Sequence, residues 1–349
     1  MKIAYLVHDY HRCGGHSRYV AELAERFSKE HEVHVFANTF WTAPDSRVIF
    51  HKVPAWRPNA LALIFSFAIN ATRQLDDSFD IIHDQGLCAF RKNVITAHIC
   101  NKAWALSRPC APWQERLFNF VITRLERWQY CASNARILAV SQRVSRDLLR
   151  CYRVKTHIDV IHHGVDAQAF RAGPCERKVN TFLFVGDFRK GVKTCIRALS
   201  KLPTGTLHCI GSSAPGPYAA FARELGVADR VEFSGPTRHI ASQYRCADAL
   251  LLPTPYDAFG LVVLEAMASG LPVIVSREAG AAELIVHGQN GLLLDNKDEL
   301  PHLMQRLQTE PELTARLSQN GRETALAHSW DEVARQTMSI YQELAGGAS

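Results

Sequence analysis

Two acids, Asp257 and Glu265, stand eight residues apart in "PYDAFGLVVLEAMASGLPVIVS" (255–276). Between them, Phe259, Gly260 and Leu261 open what reads as a helix from about Ala258 to Ser269, closed by Gly270 with Pro272 just beyond. The first N–H groups of such a helix have no partners within it, and the helix dipole adds positive potential there. A glycine at that turn lets an anion approach the backbone directly. Glu265 lies about two turns in, on roughly the face that carries Asp257, too deep for a phosphate and suited to a neutral diol such as a ribose. Read alone, the same two acids also serve as a helix N-cap and a solvated helix residue.

A basic pair stands in an equivalent place. In "FVGDFRKGVKTCIRAL" (184–199), Arg189 and Lys190 occupy the turn that leaves a short apolar strand, before a helix starting near Gly191. Two cations and an uncapped helix entrance together can neutralise a diphosphate. A third turn, "RCGGHSRY" (12–19), offers paired glycines to a phosphate or sugar. It is not G-x-G-x-x-G, and "EVHVFA" (32–37) ends without a ribose-binding acid, which argues against a nicotinamide dehydrogenase. Ten cysteines include no C-x-x-C pair, and "HDYH" (8–11) and "HH" (162–163) lack metalloprotease spacing, so no metal site is expected. The cysteines are expected to be free thiols of a reducing compartment.

These turns need elements to hold them. Apolar strands are expected at 2–7, 32–37, 47–53, 80–86, 93–99 and 136–141, with helical stretches at 60–75, 112–132 and 143–152 between several of them. The pattern restarts after a polar linker, 171–180, with strands at 181–187, 206–211, 230–235, 249–254 and 272–276, each followed by a helix or turn. Strands alternating with helices predict parallel sheets covered on both faces. The expectation is an α/β chain of two Rossmann-like domains with a cleft between them: 1–170 plus 331–349, and 171–330. Ligands then meet the carboxyl edges of the strands, where all three turns lie.

Charge divides the chain. Residues 1–170 hold 22 Lys+Arg against 15 Asp+Glu, while residues 171–349 hold 18 against 19; within 91–155, 13 cations face three acids. No nucleic-acid-binding motif accompanies this basic stretch, so no nucleic-acid partner is expected. The N-terminal residues lack the pattern of a signal peptide, and "ALALIFSFAIN" (60–70) is too short to span a bilayer.

Taken in order, these pieces resemble the retaining, GT-B-fold glycosyltransferases of the family-four type over nearly the whole chain. The most specific segment looks like their Glu-x(7)-Glu motif, with Asp257 in place of the first Glu. "GDFRKG", "AVSQRVSRDLL", "VIHHGVD" and "SWDEVA" support it, and shorter echoes suggest bacterial lipopolysaccharide-core glucosyltransferases. The resemblance implies GT-B architecture with a C-terminal helix crossing back to the first domain, which binds acceptor while the second binds donor. It implies that Glu265 holds the ribose, that Asp257 sits against the transferred sugar, and that backbone around Phe259, Gly260 and Leu261 meets the sugar and diphosphate. Lys190 matches the diphosphate lysine; Arg189 stands in for an arginine that usually follows the first glycine, where this chain has Asp187. Gly15 matches a loop glycine near the donor phosphate, and His98, in "TAHIC", a histidine at the reaction centre. Asp257 and His98 are therefore the expected catalytic residues.

The implied reaction moves a hexose-type sugar, from a UDP-sugar by preference, to a hydroxyl of a glycan or glycolipid acceptor such as lipopolysaccharide core. Neither cofactor nor metal is expected, since cations and a helix entrance stabilise the leaving diphosphate. A GT-B-like phosphorylase, a sugar-nucleotide epimerase and a non-enzymatic sugar-nucleotide sensor fit the same residues. The basic stretch, with Arg116, Arg124, Arg127, Arg143, Arg146 and Arg150 near Trp113, Phe118 and Trp128, suggests a cytoplasmic protein docked on the anionic inner face of the membrane.

Overall fold

The computed structural model describes residues 1–349 except 13, 42–45, 109–111, 174–179 and 347–349. Most of the expected linker, and Cys13 of the first glycine turn, lie outside the described residues. The chain forms two compact units, Met1–His163 with Trp330–Ser349, and Gly164–Ser329. The first boundary falls ahead of the expected residue 170 for a local reason. Val165 N–H donates to His328 O at 2.9 Å and bridges Ser329, which ties the segment after His163 to the second unit.

The N-terminal unit is built on β1 (Lys2–Leu6), β2 (Asp9–Tyr10), β3 (Glu32–Ala37), β4 (Thr39–Phe40), β5 (Ile49–Lys52), β6 (Ile81–Asp84), β7 (Val94–Ala97), β8 (Arg136–Ala139) and β9 (Ile158–Val160). Seven of these make one parallel sheet in the order β5-β3-β1-β6-β7-β8-β9, while β2 pairs with β4 alone. Its helices are α1 (Gly15–Phe27), α2 (Ala60–Gln74), α3 (Asn101–Leu106), α4 (Trp113–Ala132) and α5 (Gln142–Tyr152), joined by the C-terminal helix Trp330–Gly346. Ser141 caps α5 by accepting from Val144 N–H at 3.1 Å, and Asn59 caps α2 in the same way at Ala62. The C-terminal helix buries Trp330 and Tyr341 completely.

The second unit holds β10 (Thr181–Val185), β11 (Thr206–Ile210), β12 (Val231–Ser234), β13 (Ala249–Leu252), β14 (Val273–Ser276) and β15 (Leu292–Leu294), parallel in the order β12-β11-β10-β13-β14-β15. Around them run α6 (Val192–Leu199), α7 (Gly216–Glu224), α8 (Ile240–Cys246), α9 (Leu261–Ala268), α10 (Leu300–Thr309) and α11 (Pro311–Ala327). Every residue of β13 and β14 is buried, as the unbroken runs "ALLL" and "VIVS" require of strands covered on both faces. Cys246 is disulfide-bonded, against the expectation of free thiols throughout; Cys88, Cys100, Cys131, Cys151, Cys195 and Cys209 are free. Among the described residues, no helix is long and apolar enough to cross a membrane.

Each sheet reverses its winding once. In the N-terminal unit the chain leaves β1 toward β3 and β5 on one side and places β6 on the other; in the second unit β10 and β13 flank the reversal. Loops diverge at such a point and leave a crevice at the strands' carboxyl ends.

Candidate functional site

In the second unit, the crevice lies between the loops after β10 and β13. The first loop carries Arg189 and Lys190 on a short 3-10 turn (Phe188–Lys190), and the second carries Asp257. Gly191 allows the two to meet: it sits at φ 136°, and a Cβ there would fall 2.7 Å from Pro253 O. Lys190 Nζ then reaches Asp257 Oδ2 at 2.7 Å, with the lysine side chain 31% exposed and the aspartate nearly buried.

The other basic residue is placed differently. Arg189 Nη2 and Nε donate to Asp187 Oδ2 at 2.6 and 2.9 Å, and Asp187 Oδ1 also accepts from Arg189 N–H at 2.9 Å. The guanidinium beside it holds the Asp187 carboxyl below the usual range despite partial burial, which acts the other way. Asp187 therefore engages the guanidinium that stands in for the expected arginine, and Lys190 is the cation that meets Asp257.

Helix α9 begins at Leu261, not near Ala258 as expected. Residues before it are held in a turn whose last member, Gly260, has φ 95°. Both Asp257 and Phe259 are tied to the segment after β14: Gly280 N–H donates to Asp257 O at 2.9 Å and Ala281 N–H to Phe259 O at 2.7 Å. Asp257 is thus fixed by backbone pairing and is no N-cap. Phe259 is buried and anchors this turn, while α9 opens without a side-chain cap. Glu265 is buried too, so it is not a solvated helix acid, and Oε2 accepts a hydrogen bond from Tyr244 O–H at 2.9 Å. Tyr244, on α8, had no signal in the sequence beyond an aromatic on a helix.

In the N-terminal unit the corresponding loops come after β1 and β6. Gly15 is the first residue of α1, and the position a Cβ would take there is open space. The ring of the next residue, His16, lies 4.3 Å from that of His98, which stands just beyond β7. At the end of β6, Asp84 Oδ1 accepts from Gly86 N–H and Cys88 N–H at 2.8 and 3.0 Å, and Oδ2 meets the buried Lys92 at 2.5 Å. That clamp sets the loop carrying Gln85, whose Oε1 accepts from His98 Nε2 at 2.9 Å. Burial drives the His16 ring down to about 4 and the His98 ring well below its ordinary value, so both are neutral at pH 7.

A pocket of about 310 Å³ opens at this point. His8, Gln85 and His98 line it from beyond the strand ends, His16 from the start of α1, and Glu126 and Gln129 from α4. Only His98 of these was singled out from the sequence. The signal for the rest was the polarity of α4, whose buried residues are Asn119, Ile122, Glu126, Gln129 and Tyr130, while Trp113, Leu117, Phe120 and Trp128 are exposed. Phe118, expected on the outer surface, lines the pocket instead. The expected residues thus gather in two places: Lys190, Asp257, Phe259, Gly260, Leu261 and Glu265 in the second unit, Gly15 and His98 in the first.

Residues 13–169 match the family model described as Glycosyltransferase Family 4, and residues 167–324 the model described as Glycosyl transferases group 1. The chain belongs to the family-four glycosyltransferases of GT-B fold. It is similar to D-inositol 3-phosphate glycosyltransferase of Corynebacterium glutamicum, 31% identical over 62% of this chain and 59% of that protein. The chain thus spans about three fifths of the length of its first curated relatives. Among solved structures, WaaG, a glycosyltransferase involved in lipopolysaccharide biosynthesis, superposes with a TM-score of 0.84 at 19% identity, covering 97% of this chain and 99% of that one. Anabaena HepE in complex with UDP-glucose superposes with a TM-score of 0.77 at 17% identity, over 98% and 100% of the two chains.

Proposed function

We propose that the protein transfers a hexose-type sugar from a UDP-sugar to a hydroxyl of a glycan or glycolipid acceptor, with retention at the anomeric carbon. The observation that carries this reading is the meeting of Lys190 and Asp257, 2.7 Å apart, at the winding reversal of the second sheet, beside the uncapped entrance of α9. Lys190 supplies positive charge for the diphosphate, and the first N–H groups of α9 extend it. Glu265, oriented by Tyr244, accepts from the ribose hydroxyls. Asp257 stands against the transferred sugar, where charge develops as the glycosidic bond lengthens. Acceptor attack comes from the face the diphosphate leaves, and a departing phosphate oxygen takes the acceptor's proton. The neighbouring WaaG, named for lipopolysaccharide biosynthesis, supports a bacterial surface glycan as acceptor.

The outer face of α4 supports docking on an anionic membrane from the cytoplasmic side. Arg116, Arg124 and Arg127 are exposed there among Trp113, Leu117, Phe120 and Trp128, with Arg124 over the Phe120 ring at 4.1 Å.

Calorimetry with UDP tests the donor site. A charge-assisted hydrogen bond contributes about 1.5–3 kcal/mol, so Glu265→Ala and Lys190→Ala should each weaken UDP roughly tenfold or more. Unchanged affinity in both variants overturns the assignment. Transfer should also persist in excess EDTA; loss restored by magnesium or manganese would move leaving-group stabilisation from these residues to a metal.

A further inference from the structure

Four residues that line the N-terminal pocket each bury a polar atom with no hydrogen-bond partner among the described residues: His8 Nε2, Gln85 Nε2, His98 Nδ1 and Gln129 Nε2. Buried polar groups are ordinarily paired, so four orphans around one space mark a place where a ligand completes the set. Their chemistry is mixed. The Gln85 carbonyl accepts from His98 Nε2, which puts the ring proton on that nitrogen and leaves Nδ1 an acceptor. Gln129 spends its carbonyl on Leu87 N–H at 3.0 Å, so its amide nitrogen is a donor, as is that of Gln85.

Groups that donate beside groups that accept suit hydroxyls, which do both. A phosphate offers only acceptors at neutral pH and carries a charge of about −1.5 to −2. Among the described residues, neither lysine nor arginine lines this pocket. Burial keeps its histidines neutral. Its one acid, Glu126, has both oxygens engaged, by Asn101 at 2.7 and 3.0 Å and by Tyr152 O–H at 2.5 Å. The rest of the lining includes hydrocarbon from Leu63, Ile64, Ile99, Phe118 and Ile122, which suits the C–H face of a saturated ring. A volume near the small end of ligand pockets, roughly 300–1,000 Å³, fits one ring and its nearest substituent.

We propose that this pocket binds the acceptor through an uncharged, polyhydroxylated ring and discriminates against its phosphomonoester. The inference rests on the transferase reading above and sharpens it, since a relative named for inositol 3-phosphate leaves the opposite choice open.

The test is ring-labelled histidine NMR of the full chain, titrated with methyl hexosides and myo-inositol, each beside a phosphomonoester of the same ring. The His8, His16 and His98 signals should move with at least one neutral ring, bound tenfold or more tighter than its phosphorylated counterpart. Leu63→Arg, which brings a guanidinium to the lining, should narrow that preference and leave UDP affinity unchanged. A phosphomonoester bound as tightly as its neutral partner, or silence of these signals with every neutral ring, overturns the proposal. UDP calorimetry on the same sample keeps the two readings apart, because failure there strikes the donor site alone.

Discussion

At its winding reversal the second unit presents a lysine and a carboxylate in contact, beside buried strands such as "ALLL" and "VIVS", whose one polar side chain is Ser276. The N-terminal unit presents amides and imidazoles at the same topological place. Its interior goes on in the same vein: His83 meets Tyr341 O–H at 2.5 Å and Thr96 at 2.6 Å, and His163 packs on His98 at 5.6 Å between ring centres. One unit sets its ion pair at the rim over an apolar core, and the other buries its own, Asp84 with Lys92, and spreads neutral polar groups into the core beside it. The difference teaches that one winding plan carries two kinds of chemistry at its strand ends, a partly exposed ion pair in one unit and buried amides and imidazoles in the other. It also makes the N-terminal unit the one whose stability depends on keeping rings unprotonated.

Acid is the strongest way to break that symmetry. Burial drives His83 and His163 down to about 3 and His16 to about 4 from the usual 6.5. Below pH 6.5 the unfolded chain takes up protons that the folded unit refuses, so stability is lost as pH falls toward those values. Between pH 6.5 and 5 each ring forfeits about 1.6 kcal/mol, and the three together about 5. Calorimetric melting should therefore show the N-terminal unit unfolding first at pH 5, with the second unit little changed. Parallel loss in both units would refute the contrast.

The outer surface offers a smaller contrast. Each cation near an anionic bilayer contributes about 1 kcal/mol, so replacing Arg116, Arg124 and Arg127 by alanine should weaken sedimentation with anionic vesicles roughly a hundredfold. Binding by the native protein should also fall steeply with salt. Equal partitioning to neutral and anionic vesicles, or none to either, would refute docking through this face.

The smallest effect runs against the histidines. Burial raises Glu126 to about 7 from 4.5. An acid raised by folding stabilises the fold below its unfolded value, and that contribution is lost as pH climbs through 7. From pH 5.5 to 7 the loss is about 2 kcal/mol, and Glu126→Gln should abolish it. Urea unfolding should thus place native protein and variant further apart at pH 5.5 than at pH 7, in favour of the native chain. An equal gap at both would show that Glu126 folds already ionised.

Much of this was legible before any coordinates. The alternation of strands and helices announced two parallel sheets, and of the residues singled out in the second unit Lys190 and Asp257 come into contact, while Glu265 is held by Tyr244. What escaped has physical reasons. Strands β9 and β15 are three residues each, too short for a periodic pattern. The start of α9 was misplaced because a positive φ at Gly260, not an N-cap, sets it. The bonds of Arg189 to Asp187 are not legible in the sequence, which shows a residue's reach but not its partner. The pocket was missed because its polar lining comes from the loops after β1, β6 and β7 and from α1, α3 and α4, each bland alone.

The last helix completes a circuit with a consequence for synthesis. Tyr341 O–H donates to Tyr5 O–H at 2.9 Å, joining the first strand to a residue 336 positions later. The second unit is continuous, so all of its parts have emerged once Ser329 leaves the ribosome. The N-terminal unit still needs Trp330 and Tyr341, which follow the second unit along the chain, before Tyr19, His83 and Tyr5 have their partners.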